Sequence, residues 1–450
     1  MNRRDFFKVA GAGMAAAGTV SLPGCISERK DNESGKEGNG KMEYRTSPKN
    51  GEKISLLGYG CMRWPMKKGD DGKDHIDQDA VNEMVDYAYK HGINYYDTSP
   101  AYLQGQSEAA AGIALAKYPR NTYYIATKLS NFNNSSREAG LKMYYDSMEN
   151  LRTDYFDYYL LHAIGGSYEV FEDRYIKNGL LDFMLAEREA GRIRNLGFSF
   201  HGKKEVFDQF MDLHEKYHWD FVQIEMNYVD WKHAKAPMNV NADYLYEELD
   251  KRNIPATIME PLLGGRLAKL PDAVAARLKE REPDKSIASW AFRFCGTYPN
   301  VLTVLSGMSS MDPLIENVET YSNFKPLDNE KLSFLQEMAD LMENYPTVPC
   351  TGCTYCMPCP YGIDIPTIFR HYNDSVNEGT IPQSTEQENF QKLKRRYLVS
   401  YDRAVASIRQ ADHCIGCGQC KPHCPQSIDI PKELRRIDRY IEKLKRGTLK

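Results

Sequence analysis

The sequence predicts an α/β chain: a (β/α)8 TIM barrel followed by a smaller all-α domain built around cysteines. Three observations carry this. Eight short β-branched or aromatic runs alternate with eight apolar-periodic stretches over about 270 residues, the size and rhythm of such a barrel. The first run is followed by Gly60-Cys61-Met62-Arg63-Trp64-Pro65, not by the glycine-rich phosphate turn that a doubly wound sheet favours. Eight of the eleven cysteines fall in two short runs near the C-terminus. The 450 residues suffice for two or three domains.

From the N-terminus, the first element is an address. Arg3-Arg4-Asp5-Phe6-Phe7-Lys8 precedes a small-residue apolar stretch from Val9 to Val20 and resembles a twin-arginine export signal. The stretch is too short for a stable transmembrane helix. Leu22-Pro23-Gly24-Cys25 resembles a lipoprotein processing site, with Pro23 unusual in it and Cys25 as the lipidated residue. Residues 1–25 are thus expected to be a signal peptide, and 26–42, rich in Glu, Lys, Asn and Gly, a flexible linker. Export to the periplasm or the outer envelope face follows, with membrane contact limited to that lipid anchor.

The barrel is expected over residues 43–325. Its strand candidates are Ile54–Tyr59, Ile93–Asp97, Tyr123–Thr127, Phe156–Leu161, Ile193–Ser199, Phe221–Glu225, Ala256–Met259 and Val301–Leu305. Helical stretches lie between them, with Gly92 where a C-cap glycine is expected and Ser107 where an N-cap is expected. In such barrels the chemistry sits where strands end. Asp97, Lys128 and His162 end the second, third and fourth strands, and Tyr102 follows five residues after Asp97. Singly, each has a bland reading as a cap, a surface cation, one of thirty tyrosines or a core histidine. Together they suit carbonyl reduction. Hydride addition builds negative charge on oxygen, so a proton must arrive, and a tyrosine beside an ammonium can give it. A carboxylate keeps the lysine charged and a histidine orients the carbonyl.

Gly92-Ile93-Asn94-Tyr95-Tyr96-Asp97-Thr98-Ser99-Pro100-Ala101-Tyr102, then Gly105-Gln106-Ser107-Glu108, Ile125-Ala126-Thr127-Lys128 and Leu160-Leu161-His162, resemble the aldo/keto reductase family over about residues 45–320. The resemblance implies Tyr102 as general acid/base, Lys128 and Asp97 tuning it, and His162 orienting substrate. It implies NAD(P), NADH or NADPH, held by Ser199 and Gln223 and by a dinucleotide loop and helix start at Ser306, Gly307, Met308, Glu316 and Asn317. Two departures stand out: Met259 replaces the tyrosine that many relatives stack on nicotinamide, and no Arg or Lys lies between Ser306 and Pro313 for a 2′-phosphate. His201 sits at a strand end with a substrate or a bland surface role equally open, and Cys61 and Cys295 read as apolar filler.

Residues 326–450 form the second expected domain. Cys414-x2-Cys417-x2-Cys420-x3-Cys424-Pro425 follows the bacterial ferredoxin pattern, and Cys350-x2-Cys353-x2-Cys356-x2-Cys359-Pro360 is one residue short before its last cysteine. In two-cluster ferredoxins the fourth cysteine serves the other cluster. That assigns Cys350, Cys353, Cys356 and Cys424 to one [4Fe-4S] cluster and Cys414, Cys417, Cys420 and Cys359 to the other. Disulfides would spread the cysteines out, and zinc would leave an awkward remainder. The helical pattern over Ile365–Asn373, Gln387–Tyr397 and Tyr401–Arg409 makes this an α-helical ferredoxin-like module, with Glu378–Glu386 a flexible connection and the basic tail from Lys432 an amphipathic helix. The whole resembles the iron–sulfur branch of the aldo/keto reductases.

A hydride carries two electrons and a [4Fe-4S] cluster passes one. Either a flavin or quinone partner takes the electrons, or the clusters are structural, or the bound cofactor is not nicotinamide. Expected partners are a small carbonyl or alcohol substrate, sugar-like in class, and a redox partner protein or quinone. Net charge is −4 with no basic block of nucleic-acid type, so no nucleic acid is expected. The alternative is an exported iron–sulfur electron-transfer protein whose barrel is a non-catalytic nucleotide-binding or docking scaffold.

Overall fold

The computed structural model describes residues 41–449 apart from 235–237, 344 and 427. The expected export address, Cys25 and nearly all of the linker lie outside the described residues. Among the described residues no helix is long and apolar enough to cross a membrane.

Eight parallel strands close a barrel: β1 (Leu57–Gly60), β2 (Tyr95–Asp97), β3 (Tyr124–Leu129), β4 (Phe156–Ile164), β5 (Ile193–Phe200), β6 (Phe221–Glu225), β7 (Ala256–Met259) and β8 (Val301–Ser306). Neighbours in sequence pair in parallel, with register shifts at Ala256/Thr257 and at Leu161/Ile164, and Ser306 of β8 stands opposite Tyr59 of β1 to shut the cylinder. β1 starts later than its apolar run suggests. Ser55 Oγ donates to the Leu57 carbonyl and the Ser55 N–H donates to Asn94, which cuts the run at Leu56. Lys53–Ser55 instead pairs antiparallel with Tyr44–Thr46. This hairpin covers the end of the barrel where strands begin: Tyr44 donates to the Gly92 carbonyl just before β2, and Arg45 to that of Gly296 before β8. Tyr95, Tyr158, Phe221 and Leu302 fill the interior, so the cylinder is a packed core.

The domain boundary falls later than residue 325. The helix Asn329–Met342 buries Leu335, Met338 and Ala339 in the same apolar core that lies between barrel strands and helices. The second domain has its own core, where Phe369, Tyr397, Tyr401, Leu434, Ile437 and Ile441 meet. Its helices are Ile365–Asn377, Phe390–Ala404 and Ile430–Arg446. The two middle helical stretches expected from sequence merge into one, since Leu398-Val399-Ser400 holds nothing that stops a helix. The connection around Glu378–Glu386 is anchored, with Ile381 buried.

Each cysteine run ends in Ile-Asp-Ile-Pro, at 363–366 and 428–431. Asp364 accepts from the Thr367 N–H and Asp429 from that of Lys432, and the proline takes the first helical turn where no N–H is needed. The same local code therefore launches a helix out of each cysteine loop. The tail helix turns its apolar stripe, Leu434, Ile437, Ile441 and Leu444, into the domain core.

Candidate active site

The strand ends bring the four expected residues together. Asp97 closes β2, Lys128 lies near the end of β3, His162 lies near the end of β4, and Tyr102 opens the turn Tyr102–Gly105. None is more than 9% exposed. Lys128 Nζ donates to Asp97 Oδ1 at 2.6 Å and to the Thr98 carbonyl at 2.9 Å. The same Nζ stands 4.9 Å from the centre of the Tyr102 ring. The His162 ring meets the Tyr102 ring edge-on at 5.9 Å. Leu103 and Gln104, directly after Tyr102, both have left-handed backbone, with φ of 49° and 56°. Strain is thus concentrated at the turn that presents the phenol. Ser107 and Glu108 brace this turn from behind: Ser107 donates to the Cys61 carbonyl and Glu108 accepts from Thr127.

The protonation states differ from the sequence expectation in one respect. The family resemblance implies that Lys128, with Asp97, tunes the phenol. Burial, then the Asp97 charge, push Tyr102 well above the ordinary tyrosine range, because Lys128 gives its hydrogen bonds to Asp97 and Thr98. Tyr102 is therefore a neutral phenol with a proton to give. Burial also raises Asp97, against the pull of Lys128. His162 is held well below the usual histidine range by burial, with Lys128 and Arg174 adding to it, so its ring is neutral.

Two serines that the sequence reading passed over orient that ring. Ser130 Oγ lies 2.6 Å and Ser99 Oγ 3.3 Å from His162 Nδ1. A hydroxyl proton donated to Nδ1 leaves the ring proton on Nε2. Phe132, 46% exposed, packs on the same ring at 5.0 Å. Ser99 lies inside the Asp97–Tyr102 stretch, so its position is visible in sequence; its partner Ser130, just past β3, is not.

A cavity of about 200 Å³ opens above Asp97 and Tyr102, lined also by Gln223, Met259, Glu260, Ser306 and Gly307. That is below the ~300 Å³ at which drug-sized pockets begin, as suits a small substrate. Gln223 reaches Asp97 at 3.4 Å. Met259 lines the cavity. Ser306 accepts from the Asn317 amide, which is buried on the helix Met311–Tyr321. Glu316 and Asn317 lie well inside this helix and not at its start. Glu316 is bound to Ser286, and the Met308 side chain is buried in the core, its carbonyl taken by Tyr59. Ser199 accepts from the Ala163 N–H and lines no part of the cavity. These positions thus divide. Gln223, Ser306 and Gly307 face the cavity, while Ser199, Met308, Glu316 and Asn317 support it. The cation missing from the loop after β8 arrives from the loop after β1, since Arg63 packs over Gly307, where a Cβ would stand 3.1 Å from its side chain. Gln223, Ser306, Gly307 and Arg63 are the residues that would hold a dinucleotide there.

His201, just past β5, points inward, 3.8 Å from Glu225, the last residue of β6. Glu225 is itself buried and close to Asp230 and Glu260, and burial pushes all three carboxyls upward. The register argument that found Asp97 would have found Glu225, which ends Val222-Gln223-Ile224-Glu225. Cys61 and Cys295 are buried filler, as expected.

The second domain brings its eight cysteines together in two sets. Cys350, Cys353, Cys356 and Cys424 surround one enclosed cavity with Ile365, Phe369 and Ile430. Cys414, Cys417 and Cys359 are the thiols that act on Cys420. Every described cysteine is free of disulfide. Burial and mutual repulsion push Cys353 to about 11 and Cys356 to about 12, thiols that coordination to iron would hold as thiolates. Among the described residues no three His, Cys, Asp or Glu converge tightly enough to hold a single ion. Sulfurs around a cavity suit a cluster better than zinc. The first of these sites abuts the barrel: Arg63 donates to the Thr351 carbonyl at 2.8 Å, and Gln426 donates to Glu225 at 2.9 Å.

Comparison with known proteins agrees with this geometry. L-galactose dehydrogenase of Arabidopsis thaliana is 26% identical over 336 residues, 68% of this chain and 96% of that protein. D-arabinose 1-dehydrogenase of Saccharomyces cerevisiae is 34% identical over 134 residues, covering 28% of this chain and 38% of that protein. Among solved structures, aldo-keto reductase AKR11C1 of Bacillus halodurans shares the fold with a TM-score of 0.53 at 22% identity, over 66% of this chain and 96% of that chain. Residues 349–430 match the 4Fe-4S dicluster domain. Residues 56–340 match the aldo/keto reductase family, the span that runs from β1 to the helix closing the barrel core, and the chain belongs to that family.

Proposed function

We propose that the protein interconverts a carbonyl and an alcohol on a small, polyhydroxylated molecule by hydride exchange with NAD(P). The observation that carries this is the neutral Tyr102 phenol beside the Lys128–Asp97 pair, at the floor of a cavity that Gln223, Ser306 and Gly307 also line. A bound nicotinamide supplies the hydride or takes it back. In reduction, His162 Nε2–H donates to the carbonyl oxygen and fixes its place, while Tyr102 gives that oxygen its proton. The phenolate left behind is favoured by Lys128, which Asp97 holds over the ring. In oxidation the same groups run in reverse. The sugar-like class is supported by the two dehydrogenase relatives, each named for a sugar.

Two [4Fe-4S] clusters complete the proposal, one on Cys350, Cys353, Cys356 and Cys424, the other on Cys359, Cys414, Cys417 and Cys420. Because a hydride carries two electrons and each cluster passes one, they would serve the barrel only through a flavin or quinone partner that splits the pair. Support comes from the seating of the first cysteine set against the barrel mouth and from the more open second set, where Cys417 is exposed.

The test is anaerobic purification, then aldehyde reduction with NADH and with NADPH followed by nicotinamide absorbance, alongside electron paramagnetic resonance of the reduced protein. Turnover and two interacting cluster signals are expected. A protein that binds neither nucleotide and turns over no aldehyde would sink the reading.

A further inference from the structure

Ile408 and Ile415, 74% and 65% exposed, are the two most exposed of the large apolar side chains among the described residues, and Tyr361 is 48% exposed. All three belong to the outer cysteine set. Ile415 follows Cys414, and Tyr361 stands two residues after Cys359. The turn Ser407–Arg409, with Ile408 at its centre, ties these two loops together. Arg409 Nε donates to the Gly362 carbonyl at 3.1 Å, and the Arg409 carbonyl accepts from the Asp364 N–H at 3.0 Å. The Ser407 carbonyl lies 3.0 Å from His413 Nε2, just before Cys414. An apolar patch is thus gathered on the loops that carry Cys359, Cys414 and the exposed Cys417. Such a patch marks a contact surface.

A basic groove leads to it. The helix Phe390–Ala404 ends three residues before that turn. One of its faces forms an open groove of about 1160 Å³, lined by Lys392, Arg395, Arg396 and Arg403 around Val399. No carboxylate lines this groove. Arg396 is paired with Glu378 at 3.3 Å, while Lys392, Arg395 and Arg403 have no ionic partner among the described residues. The acids near the patch are engaged: Asp364 faces Arg409 and Asp412 faces His413, each at 3.9 Å, and Asp402 accepts from the Gln410 amide. The groove exceeds the ~300–1,000 Å³ of small-molecule pockets. Its cations suit an extended acidic surface.

We propose that this face, from the basic groove to the apolar patch on the outer set, docks an acidic flavoprotein that exchanges single electrons with the outer cluster. This rests on the cluster reading above, which asks for a flavin or quinone partner; a surface larger than a small-molecule pocket seats a protein and not a free quinone. One electron leaves the reduced cluster, and the partner's flavin is reduced by that electron and takes one proton from water. Opposite charges steer the two proteins together, and the apolar patch excludes water where Cys417 meets the partner.

The full-length, cluster-loaded protein is titrated calorimetrically with oxidised bacterial flavodoxin, an acidic flavin protein, and with cytochrome c, a basic haem protein. Flavodoxin is expected to bind at least about tenfold more tightly than cytochrome c, with a Kd that rises about tenfold from roughly 20 to 300 mM salt. The triple variant Lys392→Glu, Arg395→Glu, Arg403→Glu should raise that Kd about tenfold, and Ile408→Asp about fivefold. Circular dichroism and iron content report whether the variants stay folded and loaded. Absence of flavodoxin binding, or a Kd indifferent to salt, overturns the proposal without any variant. So does a Kd unchanged in either loaded variant. Binding to phosphatidylglycerol vesicles that the triple variant loses, with its flavodoxin affinity intact, marks a lipid contact and overturns it too. In stopped flow, dithionite-reduced and desalted wild type should reduce flavodoxin faster than Ile408→Asp does, and equal rates overturn the electron exchange. If the purified protein carries no iron, the cluster reading has failed, and the calorimetric comparison still decides the docking surface.

Discussion

At the scale of residues, the site is an arrangement of buried charge. Lys128 and Asp97 pair at 2.6 Å, while burial, with the Asp97 charge, keeps Tyr102 protonated and burial, with the Lys128 charge, keeps His162 neutral. Removing the one proton that can be delivered to substrate should therefore stop the reaction and little else. Tyr102→Phe is expected to lower carbonyl turnover by about 10²- to 10⁴-fold, with nucleotide affinity and cluster absorbance unchanged. His201 gives a pH signature. Burial lowers it to about 4, so the unfolded chain takes up a proton below about 6.5 that the folded chain refuses until about 4. Its contribution to stability is present above 6.5 and is lost as pH falls toward 4, by roughly 3 kcal/mol at most. Urea unfolding at pH 7 and pH 4.5 should show His201→Gln losing less stability on acidification than the wild type.

At the scale of elements, much was legible in sequence because strand ends carry their chemistry in plain order. Asp97, Lys128 and His162 stand at strand ends as the register implies, and each barrel strand overlaps its β-branched run, the first one displaced toward its end. What was not legible depends on contacts between distant segments. Met308 looks like a loop residue, yet its side chain is buried in the core. Glu316 looks like a helix-start ligand but lies mid-helix on Ser286. Arg63 gave no sign in sequence that it would cross the mouth to Gly307 and Thr351. The helix Asn329–Met342 gave no sign of which core it would join. Gly264 is a sharp test of the seam between domains. Its φ of +67° and its contact with Thr351 both exclude a side chain. Gly264→Ala should open that seam, seen as faster proteolysis between residues 342 and 365 and a midpoint of thermal unfolding lower by several degrees, with the barrel fold retained by circular dichroism.

At the scale of the whole molecule, the two cysteine sets differ in their surroundings, and this sets how they should fail. Cys353→Ser is expected to remove one cluster's resonance signal and about half the iron. Cys417→Ser should remove the other signal and leave KM alone. We propose from Arg3-Arg4 and the apolar stretch after them that the N-terminus is an export address: lysines in place of Arg3 and Arg4 should then hold the protein in the cytoplasm, as fractionation would show. Cys417 is exposed, whereas the cavity of the first set is walled by Ile365, Phe369 and Ile430. Dissolved oxygen therefore reaches the outer centre first. Brief aeration should bleach the protein in two kinetic phases, the fast one silent in aldehyde assays and the slow one coinciding with loss of catalysis.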